Sequence, residues 1–191
     1  MRRLRHDGAM SGKVELIGGI EKRAIVVVDY DPTWPHRFDL ERDKIDHALG
    51  NASHRVDHVG STAVPGLAAK PLIDIQLSVS DVDYERSYLP ALERAGYILR
   101  VREPGHRMVR TPALDVHVHV CSLGSDWERR HLLLRNWLRE SESDRRRYAK
   151  VKAALATQDW HSMNHYADAK TSIIEEITAR AEEWSAKRAG V

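Results

Sequence analysis

The chain has 191 residues, the length of about one average domain, and its 30 lysines and arginines against 28 acidic residues give a formal net charge of +2. This length excludes two large domains, and the balanced charge excludes a protein that mainly coats a nucleic-acid backbone. No apolar run approaches the roughly 20 residues that cross a bilayer, and no signal-peptide pattern follows Met1, so we expect a cytoplasmic protein with no membrane partner. Cys121 is the one cysteine, which excludes an internal disulfide and fits a reducing compartment.

The first predicted elements follow a leader. Residues 1–22 mix glycines with charges of both signs and show no sustained periodicity, so we expect a loose segment outside the core. Residues 23–191 are then predicted to form a single domain. Ala24–Val28 is a β-branched run typical of a strand. A Trp-Pro pair after Thr33 predicts a helix that runs to about Leu49.

Strand patterns fill the chain from about 55 to 121, and helical periodicity takes over from about 125 to 188. One helix, Tyr84–Ala95, interrupts the strands, and Pro90 is expected to start or kink its second half. Three C-terminal helices are predicted, the last of them running from Tyr166 to Trp184. This order predicts an α+β fold, a mixed β-sheet flanked by helices with a C-terminal helical segment. The predicted strands are Arg55–Val59, Leu72–Val79, Tyr97–Arg102, His106–Arg110 and Leu114–Cys121.

A glycine-serine turn between two strands is the first feature that points to chemistry. At Gly60-Ser61 a residue without a side chain lets a ligand approach the backbone, and exposed amides with the hydroxyls of Ser61 and Thr62 suit phosphate oxygens. After a loop, Asp74 lies inside an apolar strand, where a carboxylate is costly to bury unless it is paired or binds a cation. The same residues also fit a common turn and an acidic residue that keeps a sheet edge soluble.

A later strand carries a polar face of its own. Asp115, His117, His119 and Cys121 alternate with valines, so period two places them on one side of the sheet. We expect that side to meet Asp74. If Asp115 lies level with Asp74, it supplies a second carboxylate; alternatively Asp74 with His117 and His119 binds a metal such as manganese, iron, nickel or zinc. A third interpretation is that both histidines only form hydrogen bonds on a half-buried face of the sheet.

Several basic residues are available to hold an anion at the glycine-serine turn. We select Lys70, ahead of the Asp74 strand, and Arg135, in the first C-terminal helix, as phosphate-binding residues, because Lys supplies a point charge and Arg a bidentate fork. Arg135 equally fits an ion pair on a solvated helix face. The further candidates are His106, Arg107, Arg139 and Lys170.

Several separated blocks carry a family resemblance: Val27–Trp34, Gly60–Asp74, His117–Val120, Leu134–Arg139, Tyr148–Lys152 and Tyr166–Lys170. Together they make the sequence similar to the GrpB family over about residues 25 to 184, which implies a nucleotidyltransferase-like fold. That superfamily's pattern is a Gly-Ser pair, an Asp-apolar-Asp/Glu motif and a third carboxylate on a later strand. Gly60, Ser61 and Asp74 match it, but Gln76 stands at the second acidic position. An amide cannot supply the charge that holds catalytic magnesium, so the carboxylate set is incomplete.

The resemblance implies binding of a nucleotide or another phosphorylated small molecule with Mg²⁺ or Mn²⁺. It further implies transfer of a nucleoside monophosphate from a triphosphate to a small acceptor, with His117 or His119 as the base if it is not a metal ligand. Two other functions stay open. One is a non-catalytic accessory module with a protein partner, since GrpB-like domains also occur fused behind dephospho-CoA kinase. The other is a metal-dependent enzyme that uses Asp74, His117 and His119 with Zn²⁺, Ni²⁺ or Fe²⁺ for different chemistry.

Overall fold

The computed structural model describes residues 14–22 and 24–190, apart from the side chains of 163 and 164, and within them six strands form one mixed sheet flanked by six helices. The strands are β1 Glu15–Leu16, β2 His54–Val59, β3 Ile73–Val79, β4 Ile98–Glu103, β5 His106–Arg110 and β6 Val116–Ser122. The helices are α1 Trp34–Leu49, α2 Leu89–Arg94, α3 Asp126–Glu140, α4 Glu142–Ala156, α5 Met163–Asp168 and α6 Thr171–Ala189. The predicted α+β architecture is confirmed.

The sheet runs in the order β1-β4-β5-β6-β3-β2, and its only parallel pair among the described strands is β3 with β6. In this pair Asp74 lies opposite His117 and Gln76 lies opposite His119. Residues that face each other across a ladder project to the same side of the sheet. The register therefore places these four side chains on one face.

One face of the sheet is apolar because every second residue of β3 and β6 is aliphatic. Ile73, Ile75 and Leu77 of β3 are fully buried and pack on Trp34 and Ile45 of α1. Each such side chain contributes about 1.5–3 kcal/mol on burial. The opposite face, called the polar face below, carries the intervening residues of the two strands: Asp74, Gln76, Ser78, His117, His119 and Cys121.

The C-terminal helices form a second, smaller core with the loop that follows β2. Val64 and Leu67 of this loop are fully buried against Leu138 of α3, Tyr148 of α4 and Ile177 of α6. This packing brings α4 and α6 beside the turn at residues 60 and 61. The helical layer is thus positioned next to the end of the polar face where Asp74 lies.

A buried carboxylate ties the three long C-terminal helices together. Asp144, in the first turn of α4, accepts hydrogen bonds from the indole N–H of Trp137 in α3 at 2.7 Å and from the guanidinium of Arg180 in α6 at 2.7 and 2.8 Å. These bonds hold the pKa of Asp144 below its usual range, the contact with Arg180 first among them.

Part of the predicted leader joins the sheet. Residues 1–13 lie outside the described residues, but residues 14–22 include β1, which pairs with β4 at the sheet edge. The guanidinium of Arg100 donates to the carbonyls of Ile17 and Gly19, and Arg110 forms a two-bond ion pair with Glu21. Two basic side chains of the sheet, of which Arg100 is buried, thus hold this segment in place.

Other element boundaries also differ from those predicted. The strand expected at Ala24–Val28 is reduced to a single bridge between Val28 and Ala69. The helix expected at Tyr84–Ala95 is a short 3-10 turn followed by α2, whose first turn contains Pro90, because proline fits where no backbone donor is needed. The last predicted helix is split into α5 and α6 by a turn at Ala169-Lys170. Within the described residues, no helix combines the length and apolar character that crossing a membrane requires.

Candidate functional site

A carboxylate and two imidazoles converge on the polar face. Oδ1 of Asp74 lies 3.7 Å from Nδ1 of His117 and 3.6 Å from Nε2 of His119. One ligand atom from each residue lies within 4.8 Å of the other two. The side chains retain 27, 21 and 24% of their exposure respectively, so a small ligand can reach them. We call these residues the Asp-His-His cluster.

Gly60 makes room for the carboxylate of this cluster. A Cβ atom at position 60 would lie 2.6 Å from Oδ2 of Asp74, and the backbone there has φ +69°, a left-handed conformation that favours glycine. The space that we expected to admit a ligand is therefore filled by Asp74 itself. Gly60 acts by letting the turn pass directly over the carboxylate.

The charge states of the cluster suit a cation. Burial lowers the pKa of His117 to about 4 against the opposing pull of Asp74, so this imidazole is neutral at physiological pH, the form that binds metals. Burial opposes ionisation of Asp74, but the contact with His119 and the charge of Lys70 hold the pKa of Asp74 below its usual range. The carboxylate therefore carries its negative charge.

A hydrogen-bonded relay behind His119 fixes the orientation of its ring. Nδ1 of His119 lies 3.0 Å from Nε2 of His106, whose Nδ1 lies 2.6 Å from Oε1 of Glu103. Because the Glu103 carboxylate accepts the Nδ1 proton of a neutral His106, Nε2 of His106 accepts in turn from His119. Nε2 of His119 faces Asp74, so it could ligate a metal ion while Nδ1 stays bonded to His106. The indole of Trp127 stacks on His106 with ring centroids 4.6 Å apart.

This relay changes the predicted role of His106. The sequence places it among the cations that could hold an anion, but it is 6% exposed and burial lowers its pKa. A neutral His106 supports His119 instead. The guanidinium of Arg107, another predicted anion-binding group, forms ion pairs with Glu85 at 2.5 Å and with Asp83 at 3.0 Å.

Three lysines gather beside the glycine-serine turn, and we call them the lysine cluster. Nζ of Lys152 in α4 donates to Oγ of Ser61 at 2.9 Å and to the carbonyl of Ala68 at 2.6 Å. Lys70 and Lys170 place their ammonium groups 5.1 and 4.7 Å from the centroid of the same ring, that of Tyr166, in cation-π contacts. These lysines come from three distant parts of the chain.

Burial and mutual repulsion disfavour the charged forms of these lysines. Desolvation, with the charges of Lys170 and Lys70, lowers the pKa of Lys152 to about 7. Desolvation, with the charge of Lys70, lowers the pKa of Lys170 to about 8. Sequence reasoning missed Lys152, although its spacing of four residues from Tyr148 places it on the buried side of α4.

Three predicted site residues take other positions. Thr62 is 1% exposed, and its hydroxyl bonds the ring of His58 at 3.0 Å and the carbonyl of Leu72 at 3.2 Å. Arg135 donates to Asp57 at 3.3 Å and to the carbonyl of His58 at 2.9 Å. Asp115 precedes β6, so it does not lie level with Asp74.

The carboxylate of Asp115 also forms its hydrogen bonds away from the Asp-His-His cluster. It accepts from Arg37 at 3.1 Å and from the hydroxyl of Thr111 at 2.7 Å. It therefore does not replace the second carboxylate that Gln76 lacks. Of the predicted residues, the structure brings together Gly60, Ser61, Lys70, Asp74, His117 and His119.

Buried polar atoms without partners lie in the same region. Gln76 is fully buried, and neither its amide oxygen nor its amide nitrogen has a hydrogen-bond partner among the described residues. Nε2 of His117 is also buried without one. Such atoms cost free energy unless a ligand, an ion or water satisfies them.

The fold and the site together define the class of protein: an α+β domain whose sheet carries a carboxylate and two imidazoles beside a cluster of lysines. The family model described as GrpB protein matches residues 24–180, and the chain belongs to the GrpB family. The resemblance seen in the sequence is thereby confirmed.

The relatives match most of the chain. A UPF0157 protein of Halalkalibacterium halodurans is 50% identical over 161 residues, which cover 83% of this chain and 83% of the relative. A UPF0157 protein of Streptomyces coelicolor is 51% identical over 168 residues, 88% of this chain and 90% of the relative. The crystal structure of conserved protein GrpB from Enterococcus faecalis is 30% identical and matches with a TM-score of 0.73, covering 83% of this chain and 99% of that one.

A more distant relative is part of a larger protein. A dephospho-CoA kinase of Mycolicibacterium paratuberculosis is 26% identical in an alignment 195 positions long, which covers 87% of this chain and 48% of the kinase. About half of that protein is therefore similar to this domain.

Proposed function

We propose that this domain binds a phosphorylated small molecule, such as a nucleotide, together with a divalent metal ion. The metal is held by the Asp-His-His cluster, and a phosphate group lies against Ser61 and the lysine cluster. The observation that carries this proposal is the convergence of Asp74, His117 and His119, whose ligand atoms lie within 4.8 Å of one another, next to a turn that a lysine ammonium contacts.

The donor set favours a borderline transition metal over magnesium. Two imidazoles and one carboxylate suit Mn²⁺, Fe²⁺, Ni²⁺ or Zn²⁺, whereas Mg²⁺ prefers oxygen ligands. Gln76 adds no negative charge beside Asp74, and Asp115 lies elsewhere. Nδ1 of His117, which faces Asp74, and the relay to His119 both fit ligation. A bound divalent metal would stabilise negative charge on a phosphate oxygen.

The reaction that these residues fit is transfer at phosphorus. The hydroxyl of a small acceptor attacks the α-phosphorus of a nucleoside triphosphate, the bond to the β,γ-diphosphate breaks, and pyrophosphate leaves. The acceptor's proton passes to a water molecule, because both imidazoles of the cluster ligate the metal. The lysines meanwhile bind and orient the phosphate oxygens.

Metal analysis and nucleotide titration test the binding function. We expect purified protein to bind Mn²⁺ or Zn²⁺ at one ion per chain, and Asp74→Asn to lower this affinity by at least about tenfold because a neutral amide replaces the charged ligand. Asp43→Asn makes the same change at a side chain that is 71% exposed, and it should bind like the parent. Failure of metal and of a nucleotide panel to bind would refute the proposal.

A non-catalytic accessory module is the second candidate function. Two observations favour it: Gln76 replaces a carboxylate of the resembled pattern, and this domain is similar to about half of a dephospho-CoA kinase. The same titrations decide between the two. An accessory module would bind neither metal nor nucleotide, and Asp74→Asn would leave its association with a partner protein unchanged.

A further inference from the structure

The lysine cluster brings three amino groups together beside the glycine-serine turn. Lys70, Lys152 and Lys170 lie in the loop before β3, in α4 and at the start of α6, yet two of their ammonium groups face one tyrosine ring and the third contacts Ser61. We propose that this cluster binds a pyrophosphoryl group, a chain of two or more phosphates. This inference rests on the proposed function and narrows its ligand class.

The first argument is the lack of charge compensation. Among the described residues, no carboxylate forms an ion pair with Lys152 or Lys170, and Lys152 is 3% exposed. Burying an ammonium group without a counter-charge is costly, and a multivalent anion would remove that cost. Two separate elements, α4 and the start of α6, maintain this arrangement, which costs stability when the site is empty.

The second argument is the charge count. With Lys152 and Lys170 protonated by a bound anion, their two ammonium groups and a divalent metal ion would face one carboxylate within the Asp-His-His cluster, that of Asp74, which leaves an excess of positive charge. A single phosphomonoester carries about −1.5 to −2 at neutral pH, which leaves part of that excess uncompensated. Each additional phosphate in the ligand adds negative charge and oxygens for the lysines to hold.

The third argument is the continuity of the site. Gly60 contacts the carboxylate of Asp74, and the next residue, Ser61, accepts from Lys152. A charged ammonium group has three donors, and Lys152 uses two of them on Ser61 and Ala68. A phosphate chain bound at Ser61 would therefore lie between the Asp-His-His cluster, which would hold the metal, and Lys152, with Lys70 and Lys170 on the Tyr166 ring nearby.

Titration with phosphates of increasing length tests the inference. In the presence of Mn²⁺ we expect pyrophosphate and tripolyphosphate to bind at least about tenfold more tightly than orthophosphate, in keeping with the larger charge. Lys152→Met and Lys170→Met should each weaken tripolyphosphate binding by about tenfold or more and change orthophosphate binding much less. Lys150→Met, on the exposed side of α4, is the matched control and should bind every probe like the parent.

The outcomes separate this inference from the proposed function. If orthophosphate and Mn²⁺ bind but chain length makes no difference, or if both lysine variants bind tripolyphosphate like the parent, the inference is wrong and the proposed function stands. If neither metal nor any phosphate compound binds, both fail. Lys170 is half-buried, so its variant provides the test should Lys152→Met not fold.

A further arm identifies the source of the pyrophosphoryl group. Tighter binding of ADP and ATP than of pyrophosphate and tripolyphosphate would identify a nucleotide as the ligand. Equal or weaker binding of the nucleotides would identify an inorganic polyphosphate. Both results support a pyrophosphoryl site.

Discussion

The carboxylate of Asp74 lies where residue 60 would otherwise carry a side chain, because a Cβ atom at Gly60 would come within 2.6 Å of its Oδ2. Gly60→Ala should therefore displace Asp74 and strain a backbone with φ +69°, which costs about 1–3 kcal/mol on its own. We expect a lower midpoint of urea unfolding and at least about tenfold weaker metal binding, both measurable on one preparation.

Gly66→Ala provides the control for backbone strain. Its φ is +75°, but a Cβ atom there would have no neighbour within 4 Å. This variant should lose stability from the left-handed conformation alone and keep the metal affinity of the parent. Equal losses of metal affinity in the two variants would show that Gly60 does not act through Asp74.

His106 is expected to act as a positioning residue for the metal. His106→Phe keeps a ring against Trp127 but removes the acceptor that holds the Nδ1 proton of His119, so the ligating tautomer is no longer fixed. Loss of such a supporting bond typically lowers metal affinity about 10–100-fold, which competition with a chelator measures. His131→Phe changes the ring on the other side of Trp127, 3.6 Å away by centroids, and should leave the affinity unchanged.

Gln76→Leu should raise stability and weaken ligand binding. The amide of Gln76 is fully buried without partners among the described residues, so an apolar side chain of similar size removes a cost of about 1–3 kcal/mol. If the amide serves the bound ligand, the same change weakens binding of Mn²⁺ with nucleotide. Thermal unfolding without and with ligand measures both effects, and a lower unfolding temperature without ligand would contradict this account.

Lys152 should make stability depend on pH. Its pKa is lowered to about 7 in the folded protein, whereas an unfolded lysine titrates near 10.4. Between these values the unfolded chain binds more protons, so the free energy of unfolding rises as pH increases from about 7 to 9. The titratable groups that face Lys152 are Asp74, Lys70, Lys170 and Tyr148, and Lys170 contributes in the same direction.

Urea unfolding at several pH values checks this dependence. The rise for the parent should exceed about 1.4 kcal/mol, the equivalent of one pKa unit. Lys152→Met should lose most of the rise, while Lys150→Met keeps it. The same slope in the parent and in Lys152→Met would refute the assignment.

The convergence of Asp74, His117 and His119 follows from features that the sequence displays. Period two puts both histidines on one face, and the β3–β6 register sets Asp74 opposite His117. Asp115 shares their period, but it precedes β6 and its carboxylate pairs with Arg37. The position of Asp115 relative to Asp74 depends on the register between β3 and β6. The alternation of polar and apolar residues does not specify that register.

The lysine cluster was harder to predict because it depends on how helices pack on a loop. Lys70 was selected from its position ahead of β3, whereas Lys152 looked like one more charge on an amphipathic helix. Its contact with Ser61 exists because Tyr148 and Ile177 pack on Val64 and Leu67. Long-range packing of this kind leaves no local pattern in the sequence.

The two halves of the site belong to different layers of the molecule. The Asp-His-His cluster is built on the central parallel strands β3 and β6, whereas Lys152 and Lys170 come from the helical layer that Asp144 holds together. A change in how α4 and α6 pack on the loop after β2 would thus move the lysines relative to the Asp-His-His cluster without altering β3 and β6.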